Sequence, residues 1–296
     1  AGIVDAALAI GRHARIRGDE PCVQRIAASL GGWVGYTSMS GGEHDIRSAT
    51  IELKVPAARY DEALALVRAS QPDGGPEELS LLINRAQLLP NLRRFDESRI
   101  DLDRAGALIE KLYGPDHPAS YLVWAGRARL ERDLGRLDDA RTSIEKAVEL
   151  ARAALGETHN DVDILHYEAA AISLARGELT EAAAQADRAL AASTTGYGAE
   201  HPQTATILRM RGAIDLARGD LPAARERLEQ AIELLERRHG DAQELARGRF
   251  DLARCLPASD RARARRLAKQ ARERMVADEA TEDVAEIDAW LAGHPG

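Results

Sequence analysis

Apolar positions along the chain recur with a long, fixed period. The small residues Ala86, Ala128, Ala170 and Gly212 stand 42 residues apart. Large apolar residues bracket them, such as Leu82 and Leu88, Trp124 and Leu130, and Leu208 and Ile214. A second series, Ala105, Ala147, Ala189 and Ala231, keeps the same step, with Leu102, Ile144, Ala186 and Leu228 three residues before each. Spacings of three and four place residues on one face of a helix. Between the two series lie short turns: Gly135-Arg-Leu-Asp-Asp-Ala140, Gly177-Glu-Leu-Thr-Glu-Ala182 and Gly219-Asp-Leu-Pro-Ala-Ala224, with Arg93-Arg-Phe-Asp-Glu-Ser98 one step earlier. Glycine suits the left-handed residue that closes a helix, and the Asp, Thr or Pro after it suits the first turn of the next. The pattern predicts antiparallel helix pairs. Small residues at each crossing let backbones approach, and large ones fill the space between layers. One pair cannot bury its apolar stripe alone, whereas stacked pairs can.

A set of loops keeps the same register. Gly114-Pro-Asp-His-Pro118, Gly156-Glu-Thr-His-Asn160, Gly198-Ala-Glu-His-Pro202 and, more loosely, Gly240-Asp-Ala242 begin 42 residues apart. His117, His159 and His201 therefore recur once per unit. Successive units are about one helix-packing distance apart, on the order of 10 Å. A zinc ion draws its ligands to about 2 Å, so a structural loop role is preferred over a metal ladder.

The Gly-x-[Leu/Phe]-x-x-[Ala/Ser] turn, with an alanine seven residues beyond it, resembles the tetratricopeptide repeat over residues 76–256. The longer step and the Gly-x-x-His-Pro loop are similar to the kinesin-light-chain variety, whose unit exceeds the standard ~34 residues. The fold class expected is all-α: a right-handed superhelical solenoid of antiparallel helix pairs. The expected divisions are an N-terminal capping segment over 1–72, a repeat array over 73–256 and C-terminal capping helices over 257–296. The His-Pro loops, the stretch Glu244-Leu-Ala-Arg-Gly-Arg-Phe-Asp-Leu-Ala-Arg-Cys-Leu256 and the ending Ala285-Glu-Ile-Asp-Ala-Trp-Leu291 also resemble C-terminal regions of large bacterial serine/threonine kinases. That resemblance implies an appended sensor or docking region with a kinase domain upstream. The chain itself carries no glycine-rich nucleotide loop, His-Arg-Asp loop or Asp-Phe-Gly.

The ends depart from the repeat. Residues 3–17 and 20–30 read as a helical pair around Gly18-Asp19, and Val284, Ile287, Trp290 and Leu291 give a final capping helix. Residues 33–56 leave two readings open. Ser48-Ala-Thr-Ile-Glu-Leu-Lys-Val55 alternates like a strand, which makes a β-hairpin near 33–55 with the turn Thr37–Gly42. Residues 44–56 also read as an irregular first helix, because Ala58-Arg-Tyr-Asp-Glu-Ala63 fits the repeat turn. The segment 23–70 resembles part of a bacterial domain family of unknown function.

Composition narrows the function classes. The chain of 296 residues is 45% hydrophobic but only 4% aromatic, so alanine and leucine supply the core. A net charge of −8 argues against nucleic acid as a partner. No apolar run approaches the ~18 residues of a membrane span. Cys22 and Cys255 show no ligand or redox spacing, which points to a reducing, cytoplasmic setting. The start at Ala1, without Met or a signal peptide, suggests a piece of something longer. No nucleophile elbow, phosphate loop or enclosed acid–base pair stands out, so no enzyme and no cofactor are expected.

The function expected is a non-catalytic scaffold that holds a peptide or partner protein in its concave groove. Self-assembly without a separate client is the alternative. In the tetratricopeptide family first helices line the groove, and Arg85, Arg127 and Arg211 stand where that family has a large residue. A guanidinium ladder there grips carboxylates or phosphates, or else pairs with neighbouring Asp and Glu. Arg129, Arg132, Arg209, Asn84, Gln87, Asn91 and Tyr167 are the further groove candidates. The family's two-Lys, two-Asn carboxylate clamp is not reproduced. The basic run Arg261 to Arg274 reads as a solvated helix face, and Trp33 with Tyr36 as packing.

Overall fold

The computed structural model describes residues 57–115, 117–156, 159–278 and 280–294. The helical pair at 3–17 and 20–30, both readings of 33–56, Cys22, Trp33 and Tyr36 lie outside the described residues. Twelve α-helices follow among the described residues, with no strand. They are α1 (Ala57–Ser70), α2 (Pro76–Leu88), α3 (Phe95–Tyr113), α4 (Ser120–Asp133), α5 (Leu137–Leu155), α6 (Asn160–Ala175), α7 (Leu179–Gly196), α8 (Pro202–Ala217), α9 (Leu221–Arg237), α10 (Ala242–Cys255), α11 (Arg261–Ala277) and α12 (Thr281–Gly293). None is long and apolar enough to cross a membrane. The chain divides into two compact units, 1–150 and 151–296.

In the first unit, α2 pairs with α3 and α4 packs on α3. Leu82, Ala86, Leu102, Ala105 and Leu108 build its core. In the second unit, α6 pairs with α7, α8 with α9 and α10 with α11, and each pair leans on the next. Its layers are small-residue contacts: Ala170, Ala182, Ala183 and Ala186 between α6 and α7, then Ala224 and Leu228 on α9. Ala264, Ala268 and Ala271 of α11 continue the series, and Ile287 of α12 closes it.

The turns follow from local chemistry. Gly135, Gly177 and Gly219 take φ of 73°, 75° and 80° where each first helix ends. Arg93 holds the same corner at φ 56°, a left-handed conformation that glycine adopts at lower cost. His159 and His201 are the N-caps of α6 and α8, and His117 stands in the turn just before α4. The Nδ1 atoms of His117, His159 and His201 accept backbone N–H bonds from Ala119, Asp161 and Gln203 at 3.1–3.2 Å. His159 and His201 therefore do the work that Ser or Asp side chains do at most N-caps. Tyr113 and Tyr197 stack on the first and third rings, at 4.7 and 4.6 Å. Burial holds the His201 imidazole below its ordinary pKa, in keeping with a neutral ring whose Nδ1 must stay free to accept.

Candidate functional site

The groove candidates fall into two groups. Arg85, Arg127 and Arg211 each bind an aspartate 24 residues upstream, on the preceding helix of the stack: Asp61, Asp103 and Asp187. Arg127 does so at 2.9 Å while its guanidinium lies 5.3 Å over the Trp124 ring. Arg85 also donates two bonds to buried Asp101, at 2.7 and 2.6 Å. Arg211 also binds buried Asp215, which Arg227 of α9 shares. These arginines stitch one helix to the next. Their fork geometry suits two acceptors at once, and Arg85 and Arg211 use it fully.

The other first-unit candidates are scattered. Arg132 pairs with the adjacent Asp133 at 2.9 Å. Asn84 and Arg129 are half-buried and engaged. Gln87 is exposed, and Asn91 is exposed on the 3₁₀ turn Leu89–Leu92 rather than on a helix.

Tyr167 and Arg209 come together in the second unit. They stand 42 residues apart, on α6 and α8, and the next position in the series is Asp251 on α10. Arg209 is 5% exposed, so its charge must be met inside the protein. It donates to Glu244 at 2.6 Å and to Asp251 at 3.3 Å. Burial works against the guanidinium charge, but Glu244, Tyr167 and Asp251 outweigh it and hold its pKa above the ordinary range. Burial also opposes the Glu244 charge, but Arg209 and Arg247 prevail and its pKa falls. At Asp251 burial wins over Arg209 and Arg254, and the carboxyl is raised. Burial pushes the Tyr167 hydroxyl up to about 12.

A cavity of about 330 Å³ opens beside this cluster, bounded by α6, α8, α10, α11 and α12. Leu174, Leu216, Phe250, Met275 and Ile287 supply its apolar lining. Arg209, Arg247, Arg254, Asp251, Asp283 and Glu286 supply its polar groups. Arg247 and Arg254 each keep about two-fifths of their side chains exposed, and their pairs with Asp283 and Glu286 are long, at 3.7 and 3.5 Å. Partly exposed pairs of that length contribute little to stability, although Arg247 also donates to Glu244 at 3.1 Å. Sequence reasoning named Tyr167 and Arg209 but missed Arg247, Phe250 and Arg254. One signal was available: the 42-residue step from Arg209 lands on Asp251, between Phe250 and Arg254 on the same helix. Among the described residues, no group of three or more His, Cys, Asp or Glu is placed to hold a metal ion.

A tetratricopeptide-repeat family model matches residues 77–153 and 161–237. No curated protein matches the chain. Among solved structures, a putative kinesin light chain with TPR-like repeats from Podosopora anserina is 21% identical, with a TM-score of 0.53, over 70% of this chain and 98% of that one. BtubC (BKLC) from P. vanneervenii is 18% identical, with a TM-score of 0.57, over 81% and 92% of the two chains. A Rap protein complexed with competence and sporulation factor is 18% identical, with a TM-score of 0.57, over 80% and 68%. At these identities the likeness concerns the fold.

Proposed function

This chain belongs to the tetratricopeptide-repeat family, and from that premise we propose that it is a non-catalytic protein-interaction scaffold whose cleft in residues 151–296 holds an extended segment of a partner protein. The observation that carries the reading is the cleft itself. An apolar lining of Phe250, Leu216 and Ile287 adjoins two half-exposed arginines: Arg254, whose carboxylate partners Glu286 and Asp251 stand at 3.5 and 3.8 Å, and Arg247, which holds Glu244 at 3.1 Å and Asp283 at 3.7 Å. A few anchoring apolar contacts with charged groups at the rim are how such surfaces combine affinity with register. The Rap protein complexed with competence and sporulation factor is a precedent for a ligand held by this fold.

The partner class we infer is a peptide or protein, not nucleic acid. The array is read as residues 73–256, with 1–72 and 257–296 as its caps. The setting is read as a bacterial cytoplasmic signalling protein, because the His-Pro loops and residues 244–256 resemble kinase C-terminal regions. In that setting occupancy of the cleft biases an attached domain. Among the first-helix arginines, Arg85, Arg127 and Arg211 all pair internally, so the gripping role is assigned to Arg247 and Arg254, which border the cleft with about two-fifths of their side chains exposed.

A peptide-array screen of the intact chain tests this. Binding peptides are expected to weaken at least tenfold, about 1.4 kcal/mol, in Arg247→Glu/Arg254→Glu. They are expected to be unaffected by Arg141→Glu on α5. Equal loss in both variants, or in neither, contradicts the assignment of the cleft.

A further inference from the structure

In a stack with a constant step, one contact layer can be compared with the next position by position. Where α8 meets α9 and α10, the residues Ala205, Leu235 and Ala246 are all buried and all apolar. One step upstream, the same three positions hold Asp163 on α6, Ser193 on α7 and Thr204 on α8. These are buried just as deeply, at 0%, 0% and 4% exposure. An apolar layer has thus become polar at every one of its three positions.

The hydrogens in that layer can be assigned. Thr204 Oγ1 donates its one hydrogen to the Gly198 carbonyl at 2.8 Å. Its 2.9 Å contact with Ser193 therefore requires Ser193 to be the donor. Ser193 then has no hydrogen left for Asp163, although it lies within reach of that carboxyl. Neither oxygen of Asp163 has a hydrogen-bond partner among the described residues. A carboxylate in this place has only the Ile164 backbone N–H and the already committed Ser193 hydroxyl near it, whereas a protonated carboxyl has a donor to offer to the free lone pair of Ser193. Among the groups that act on Asp163, burial outweighs the Ile164 backbone N–H and the Ser193 hydroxyl, both of which favour the carboxylate. Asp161, on its own helix, is repulsive, while α7 and α8 offer the Ser193 and Thr204 hydroxyls and no cation. On the next turn of α6, His166 is taken up by Gln185 of α7 at 2.7 Å.

We propose that this layer is a proton-gated seam in the stack, closed while Asp163 is protonated and loosened when it ionises. Burial raises the Asp163 carboxyl from its ordinary 3.8 to about 7, so the transition lies near neutral pH. The sign follows from linkage. The closed layer holds a proton that the opened one releases, so opening grows easier as pH rises toward about 7 and levels off above it. The His201 cap weakens in the opposite, acid direction, and it is common to the wild type and the variants below.

Hydrogen exchange on the intact chain at pH 5 and pH 8, corrected for intrinsic rates, reads this directly. The opening constant for α6–α8 amides is expected to rise on the order of 100-fold in the wild type, tenfold per pH unit over about two units. In Asp163→Asn it should change less than about threefold and stay at the acid level, because no proton is exchanged. Asp163→Leu, apolar like its counterparts one step away, should be equally flat. The proposal is overturned if either variant keeps the wild-type pH dependence. It is also overturned if the wild type is better protected at pH 8.

Discussion

Replacing Arg209 with methionine will destabilise the protein by about 3–5 kcal/mol, the cost of removing one member of a buried ion pair. The side chain is 6% exposed, and Glu244 and Asp251 keep only 12% and 15% of theirs. Without the guanidinium, Glu244 keeps only its 3.1 Å bond from Arg247, and Asp251 is left with Arg254 at 3.8 Å. The penalty comes from stranded charge rather than lost packing. The triple change Arg209→Met/Glu244→Leu/Asp251→Leu should therefore return to within about 1 kcal/mol of the wild type, since apolar groups can replace a buried network at little cost. Urea unfolding followed by helical circular dichroism measures both. A single variant that loses less than about 1 kcal/mol would show that water reaches the pair.

Ala170→Phe is expected to be almost as damaging, by about 3 kcal/mol. Ala170 is fully buried, and α6 meets α7 there through Ala182, Ala183 and Ala186, with Met210 and Ile214 of α8 behind. An all-alanine crossing brings backbones close and leaves no side chain to move aside, so a ring must push the helices apart. The exposed Ala191, on the same helix as Ala186, is the control: Ala191→Phe should change stability by less than about 0.5 kcal/mol. The same unfolding assay distinguishes them, and equal tolerance at both sites would mean that the crossing is loosely packed.

Much of the fold was legible because it repeats. Four alanines or glycines at one helix position identified the crossings, and Gly135, Gly177 and Gly219 marked corners whose left-handed φ the structure bears out. The histidines were visible as a series, but their chemistry was not. Capping by an imidazole Nδ1 depends on ring orientation, which spacing does not encode. The arginine series was visible too, yet its partners lie on a different helix. Asp61, Asp103 and Asp187 all precede their arginines by 24 residues, a constant offset within the sequence that identifies them in retrospect. The cleft was the least legible part. Met275 and Ile287 join Phe250 only through the packing of α11 and α12, and the step between repeats changes after Cys255, where a 3₁₀ turn intervenes.

The central claim is that each helix pair owes its structure to its neighbours. A peptide of residues 202–240, which contains all of α8 and α9, tests it by circular dichroism. Inside the chain these residues form helices of 16 and 17 residues, near the length at which isolated helices are only marginal in water. The isolated pair should show less than about a third of that helicity and melt without cooperativity. A sharp thermal transition with full native helicity in the peptide alone would contradict the account.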